Sequence, residues 1–415
     1  MTRGGFEGLD ACVHCGFCLQ ACPTFLATGD ESDSPRGRIE LMRGLERGEI
    51  AATDPALIYH LDRCLGCRGC EPVCPSGVQY GHGLEAARAR ITAERGVSPM
   101  ARLALWALTT PGVSSVVYWF SRVLRAVLPR SFAGWGRIRF ALGMLAATKA
   151  VGRLSGSAVR IPRSPTAQPP NRQTAQIFRG CVMQGLFSHV HDATIRTLGV
   201  NGYQVREVSG QVCCGALHEH AGLVEEARAL ARVNVDAFGD GEEPIVVNSA
   251  GCGALMKEYG RLLGDVRAER FGARVRDVTE LLAGNGMKGP VAGAPLDLHV
   301  AYDPPCHLLH AQGVAVQPLK LFAAIPLLEL VPVPGAAECC GSAGLFTLLE
   351  PEMSRAVLQT KLDCLREAAP QVVATGNPGC LMQIGAGLAA AGIAARARHP
   401  VELLDDAYRA AGRYE

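Results

Sequence analysis

The stretch "CVHCGFCLQACP" at residues 12–23 and its counterpart "CLGCRGCEPVCP" at 64–75 each carry four cysteines at C-x-x-C-x-x-C-x-x-x-C spacing, and each closes on a proline. Two-residue gaps let three successive sulfurs wrap one small metal centre. The fourth lies beyond that wrap, and in runs of this kind it ligates the other of two iron–sulfur clusters. Cys12, Cys15, Cys18 and Cys74 are therefore expected to hold one [4Fe–4S] cluster, and Cys64, Cys67, Cys70 and Cys22 the second. The crossing ties the two loops together and brings the clusters close, which suits electron relay. Structural zinc also takes four cysteines at similar gaps. A third cysteine at the same interval and a fourth before proline, twice over, favour iron–sulfur clusters.

Between and after the two runs the pattern is helical. "SPRGRIELMRGLERGEI" (34–50) opens on Ser-Pro and sets Ile39, Met42 and Leu45 at helical spacing, and "GLEAARARITAERG" (83–96) ends on Gly96. Arg36, Arg38 and Arg63 stand near the cysteines and are read as solvated. Pro23 and Pro75 are expected to bend the chain after each fourth ligand.

A disulfide framework is a poor account of the 17 cysteines. A chain of 415 residues has no need of staples, the count is odd, and "MTRGGFEGLDACVHCG" carries no apolar leader. The expected location is cytoplasmic. Forty-one basic against 39 acidic side chains leave a net charge of +2, with no basic run to serve as a nucleic-acid footprint. The most apolar stretch, Leu103 to Ser121, is interrupted by Pro111 and by serines and threonines. It reads as helices that pack against protein rather than as a membrane span. All three tryptophans and a series of arginines fall within residues 98–154, with breaks expected at Pro111 and Pro129. "SGSAVRIPRSPTAQPPNRQTA" (155–175) reads as a linker.

Beyond it the chain repeats itself at a nearly constant offset. "FRGCVMQGLF" (178–187) pairs with "YDPPCHLLHA" (302–311), "GQVCCGALHEHAG" (210–222) with "AECCGSAGLFTLL" (337–349), and "IVVNSAGCGALM" (245–256) with "VVATGNPGCLMQ" (372–383). The β-branched runs "PIVVN" (244–248) and "QVVAT" (371–375) precede Gly-rich, cysteine-bearing turns and then helical segments. That is an α/β pattern with a mainly parallel sheet. Each repeat offers four thiols: Cys181, Cys213, Cys214 and Cys252, then Cys306, Cys339, Cys340 and Cys380. Glycine after each adjacent pair supplies the unusual backbone that a shared site needs. Cys364 matches no motif and reads as a small buried hydrophobe.

These "CCG" modules resemble the cysteine-rich CCG-domain family of heterodisulfide reductase, lactate-utilisation and anaerobic glycerol-3-phosphate dehydrogenase subunits. With the two-cluster run in front and "ESDSPRGRIELM" (31–42) between its halves, the whole chain resembles the glycolate oxidase iron–sulfur subunit family. The resemblance implies an α plus α/β architecture. An α-helical ferredoxin-like domain (1–97) would be followed by an apolar helical connector (98–154), the linker (155–175), and two CCG modules (176–295 and 296–415). It also implies FAD-containing glycolate oxidase subunits as partners, glycolate or D-lactate as the donor, and a quinone or other electron acceptor. A peripheral position on the inner face of the cytoplasmic membrane goes with that acceptor. No G-x-G-x-x-G opens a βαβ unit, so the flavin belongs on another chain.

The heterodisulfide reductase pattern ends each module on C-x-x-C, whereas Ser249 and Asn377 stand at the first of those places here. A further iron–sulfur cluster, a zinc, or no metal in the modules are left open. His218, His220, His307 and His310 follow the cysteines closely; each reads as structural, with proton delivery as the functional alternative. The runner-up function is a reductase that uses the CCG sites on disulfides or quinones.

Overall fold

The computed structural model describes residues 5–129, 132–150, 173–284, 287–289 and 296–414. Residues 155–172 of the expected linker lie outside these, as do 151–154 of the connector and 290–295 of the first module. Gln173 already opens a strand, so the ordered module begins earlier than the expected residue 176.

The amino-terminal region is helical, as its pattern predicts. Ser34 caps the helix Pro35–Arg47 by accepting from the Gly37 amide at 3.0 Å, Pro35 fills the first turn, and left-handed Gly48 ends it. Its inward stripe of Ile39, Met42 and Leu45 packs with Leu57 and Leu61 of the helix Pro55–Asp62 and with Leu84 and Ile91 of the helix Tyr80–Arg95. Each such side chain contributes about 2 kcal/mol of burial. This small core is what holds the two cysteine loops in place.

Two four-stranded parallel sheets follow. Strands β1 (Gln173–Phe178), β2 (Tyr203–Glu207), β3 (Ile245–Val247) and β4 (Val275–Asp277) lie in the order β2-β1-β3-β4. Strands β5 (Leu298–Tyr302), β6 (Leu328–Leu330), β7 (Val372–Ala374) and β8 (Arg396–Arg398) repeat it as β6-β5-β7-β8. Equivalent registers, Ile177 opposite Val246 and Ala301 opposite Val373, show the duplication in three dimensions. The central strands β3 and β7 are apolar on both faces, as a parallel strand covered by helices must be.

This topology explains why distant cysteines meet. Cys181, the Cys213-Cys214 pair and Cys252 each follow the carboxyl end of a parallel strand (β1, β2 and β3), and such ends gather on one edge of the sheet. The second module does the same after β5, β6 and β7.

The connector forms the helices Pro99–Thr109, Val113–Val127 and Arg137–Ala147, broken near Pro111 and Pro129 as expected. It is packed onto the modules rather than free: Arg137–Ala147 lies along the helix Pro378–Ala390, and the Arg355 guanidinium stacks over Trp135 at 4.6 Å. Among the described residues no single helix is long and apolar enough to cross a membrane.

Candidate metal centres

The two cysteine loops share one backbone trace. Left-handed residues fall at the same two places after the first cysteine: His14 and Gly16 in one loop, Gly66 and Arg68 in the other. These reversals curl three sulfurs about a common point. Cys12, Cys15, Cys18 and Cys74 line one hollow, with Cys70 at its side, and Cys22, Cys64, Cys67 and Cys70 line the next. Each expected set of four is thus brought together, with the fourth member supplied by the other run. The first hollow is at the surface: Cys15 is exposed, and Val13 and Phe17 beside it are about two-thirds exposed. The second is interior, with Cys22, Cys64 and Cys70 buried.

Arg38 is not solvated, contrary to the expectation; it is fully buried. Its guanidinium bonds Asp33 Oδ1 at 3.1 Å, Thr24 Oγ1 at 2.9 Å, the His60 carbonyl at 2.7 Å and the Asp33 carbonyl, and it stands 4.0 Å from Cys22 Sγ. Asp33 also takes Arg63 at 2.9 Å and His60 at 3.0 Å. Burial pushes the Cys22 thiol up, and the Arg38 charge pulls the other way.

In the first module the Cys181 thiol donates to Cys213 at 3.5 Å, and Cys214 bonds both Cys213 and Cys252. Hydrogen bonds from Cys181 and Cys214 pull Cys213 well below the ordinary thiol range, while the same bonds and burial push Cys181 and Cys214 up. In the second module Cys306, Cys339, Cys340 and Cys380 form the same chain of thiols. That chain continues outside the module, because Cys339 also bonds Cys67 and holds its thiol at about 7. The interior ferredoxin-like set and the second CCG set are direct neighbours. Gly215 and Gly341, at φ +90° and +83°, make the adjacent pairs possible: a Cβ on Gly341 would sit 2.6 Å from the Ser354 carbonyl oxygen.

Several participants were not foreseen. Behind the second set lies a buried ion pair of Lys361 with Asp303, and Lys361 also donates to the Ala336 carbonyl at 3.0 Å. The first set is backed by neutral Asn234, which accepts from the Val212 amide and donates to the Cys213 carbonyl. Tyr118 of the connector bonds Cys181. Ser249 and Asn377, where the C-x-x-C pattern would have cysteines, meet across the module boundary at 3.4 Å; Asn377 also accepts from the Gly251 amide and donates to Cys380. Cys364 is half-buried on the helix Pro351–Ala368, not fully buried as expected.

The ferredoxin-like region is fastened to the first module by charge. Glu258 takes Arg68 at 2.7 Å and His82 at 3.3 Å, and Arg261 takes Glu85 at 2.6 Å. Although partly buried, which would raise it, Glu258 is held well below the carboxylate range by His82 and Arg68. His220 and His307 stack edge to face at this junction, with centroids 5.3 Å apart, and burial lowers them to about 3 and about 4. His307 Nδ1 lies 3.5 Å from Cys306 Sγ. His218 is buried, and His310 is partly exposed and lowered by burial.

Four converging sulfurs are the donor set of an iron–sulfur cluster or of zinc, and both hollows and both module sets fit such a group. Burial raises the Cys18, Cys22 and Cys70 thiols. A cation is what would hold these sets as thiolates.

Comparison with known proteins agrees. Residues 8–78 match the 4Fe-4S dicluster domain, and residues 175–257 and 300–385 each match the Cysteine-rich domain called CCG. The chain is similar to the probable glycolate oxidase iron–sulfur subunit of Bacillus subtilis, with 33% identity covering 97% of this chain and 94% of the relative. The glycolate oxidase iron–sulfur subunit of Escherichia coli is 32% identical over 96% of this chain and 94% of its own length. Lactate utilization protein A of Geobacillus kaustophilus is 31% identical over 55% of this chain and 97% of its own.

Proposed function

The chain belongs to the glycolate oxidase iron–sulfur subunit family, and on that premise we propose that it is the electron-transfer subunit of a flavin-dependent complex oxidising glycolate. The finer reading has four parts. Cys12, Cys15, Cys18 and Cys74 hold one [4Fe–4S] cluster, and Cys64, Cys67, Cys70 and Cys22 hold a second. FAD-bearing partner subunits bind and oxidise the 2-hydroxy acid. The acceptor is a quinone, met at the inner face of the cytoplasmic membrane. The isolated chain does not oxidise glycolate.

A bound iron–sulfur cluster takes up and gives back one electron at a time. The protein's part is to bind, order and shield. The exposed loop around Cys15, Val13 and Phe17 is where a partner can approach closely. The interior set excludes water and adjoins the second CCG set through Cys67 and Cys339. Arg38 supplies a fixed positive charge beside Cys22. The observation that supports the reading is the pair of hollows: Cys12, Cys15 and Cys18 of the first run line one together with Cys74 and Cys70 of the second, and Cys64, Cys67 and Cys70 of the second run line the other together with Cys22 of the first.

The test is anaerobic mixing of the complex with glycolate while following visible absorbance. Glycolate should bleach the iron–sulfur absorbance only when the flavin subunits are present. Glycolate turnover by the isolated chain, or a fully reduced flavin beside absorbance that never bleaches, would overturn it.

A further inference from the structure

The helix Val113–Val127 is fastened to the protein by its polar side. Tyr118 is buried, and Arg125 donates to the Leu186 carbonyl at 2.7 Å and the Thr148 carbonyl at 3.0 Å. The opposite side carries Val116, Trp119, Phe120, Val123, Leu124 and Val127. These recur at the three- and four-residue spacing of a single helix face. In a helix that served the core this stripe would be hidden, yet each of the six is between 44% and 75% exposed. The preceding helix Pro99–Thr109 adds Met100, Leu103 and Trp106, each at least half exposed. The two helices meet at 89°, so the pair presents an apolar ledge instead of a straight rod. A patch of this extent on a folded protein marks something that covers it.

The charge around the ledge says what. Between Glu94 and Asp192 the chain has no aspartate or glutamate at all. With 39 acidic residues in 415, about nine would be expected over that length. Arg102, Arg122, Arg137 and Arg139 are exposed in the same region. Aromatic and aliphatic side chains flanked by arginine, with every carboxylate removed, is the composition of a helix lying in the plane of a membrane interface. An anionic headgroup layer rewards each basic side chain near it and penalises each acidic one. A protein partner sets no such rule over so long a stretch.

We propose that the helix pair Pro99–Thr109 and Val113–Val127 docks this chain on an anionic lipid bilayer, with the Trp119–Phe120 stripe in the acyl boundary and the arginines among the phosphates. The inference rests on the peripheral membrane position proposed above and names its surface and its lipid.

The experiment is flotation of the anaerobically purified, iron-loaded full chain with two kinds of vesicle, phosphatidylcholine alone and phosphatidylcholine mixed with phosphatidylglycerol. Binding to the anionic vesicles should be at least about tenfold tighter and should weaken at high salt. The Phe120→Ser/Val123→Ser variant should lose it while keeping its iron, sulfide and visible spectrum, since both side chains are solvent-exposed. Equal affinity for neutral vesicles, binding to neither, or an unchanged variant would overturn the proposal. So would a variant that loses the flavin subunits in place of the vesicles, since a protein would then be the occupant. Cluster reduction by glycolate in the same preparations is read separately, so failure of the docking surface is distinguishable from failure of the electron-transfer reading.

Discussion

Replacing Arg38 with glutamine removes one positive charge from the wall of the interior cysteine set. Arg38 Nη1 stands 4.0 Å from Cys22 Sγ, and the guanidinium bonds the fully buried Asp33 directly. Two unit charges at that distance interact by about 4 kcal/mol at an effective dielectric of 20. An electron added to a cluster spreads over all its atoms, so roughly half of that, about 2 kcal/mol, is felt. For one electron this is about 90 mV, taking 59 mV per tenfold and 1.36 kcal/mol per tenfold. The sign is fixed: losing a cation makes reduction harder and lowers the midpoint. Breaking the buried pair also costs stability, on the order of 3 kcal/mol. Arg63 and His60 stay on Asp33 and limit that loss. Arg38→Lys keeps the charge and is the control. Redox titration followed by electron paramagnetic resonance should show one midpoint lowered by about 90 mV in the glutamine variant and by less than about 30 mV in the lysine variant. The other cluster should move less. If the glutamine variant keeps its iron and sulfide and neither midpoint moves by more than about 20 mV, the charge argument is wrong.

Gly341→Ala drives a Cβ against the Ser354 carbonyl at a left-handed backbone position and should cost about 2–3 kcal/mol. Gly199→Ala, in a helix with open space around it, should be neutral or stabilising. Thermal unfolding of the two variants checks the contrast, and equal melting temperatures would contradict it. Acid should destabilise the fold through its buried neutral histidines. His191 and His307 are lowered to about 4, and His220 and His399 to about 3. Their contribution is complete above the unfolded value near 6.5 and is lost as the pH falls from there towards the folded values, since only the unfolded chain takes up the proton. Each costs up to about 1.4 kcal/mol per pH unit in that window. Glu85 and Glu219, raised by burial, act in the opposite sense and soften the slope. His399→Gln should therefore flatten the dependence of stability on pH between 6 and 5 by about one histidine's share, read from denaturant unfolding at several pH values. An unchanged slope would refute the assignment.

What could be read in the sequence was whatever depended on local spacing. The C-x-x-C-x-x-C-x-x-x-C runs fix a tight loop because consecutive sulfurs must share a centre, and the crossing follows because the fourth cannot. "SPRGRIELM" gave both the cap and the inward stripe of its helix, and the repeat offset gave the doubled α/β module before any strand was seen. The convergence of Cys181, Cys213, Cys214 and Cys252 was suggested by the repeat but explained only by the strand order, which puts three loops on one edge. What stayed hidden depended on contacts across long separations. Nothing local announces that Arg38 is buried, that Lys361 pairs with Asp303 behind the second thiol set, or that Cys67 touches Cys339. Ser249 and Asn377 look like two missing ligands in sequence; in space they are a hydrogen bond between the modules. The outward stripe of Val113–Val127 has the periodicity of a core helix, and only the fold tells which way it faces.

The exchange of fourth cysteines between the two runs is tested most directly by counting iron and acid-labile sulfide in paired variants of the full chain. Cys12→Ser/Cys74→Ser removes two thiols from the surface set and should cost a single cluster, about four irons per chain. Cys70→Ser/Cys74→Ser removes one thiol from each set and should cost both, about eight. The opposite result, both clusters lost in the first variant and only one in the second, would mean that each run keeps its own four cysteines.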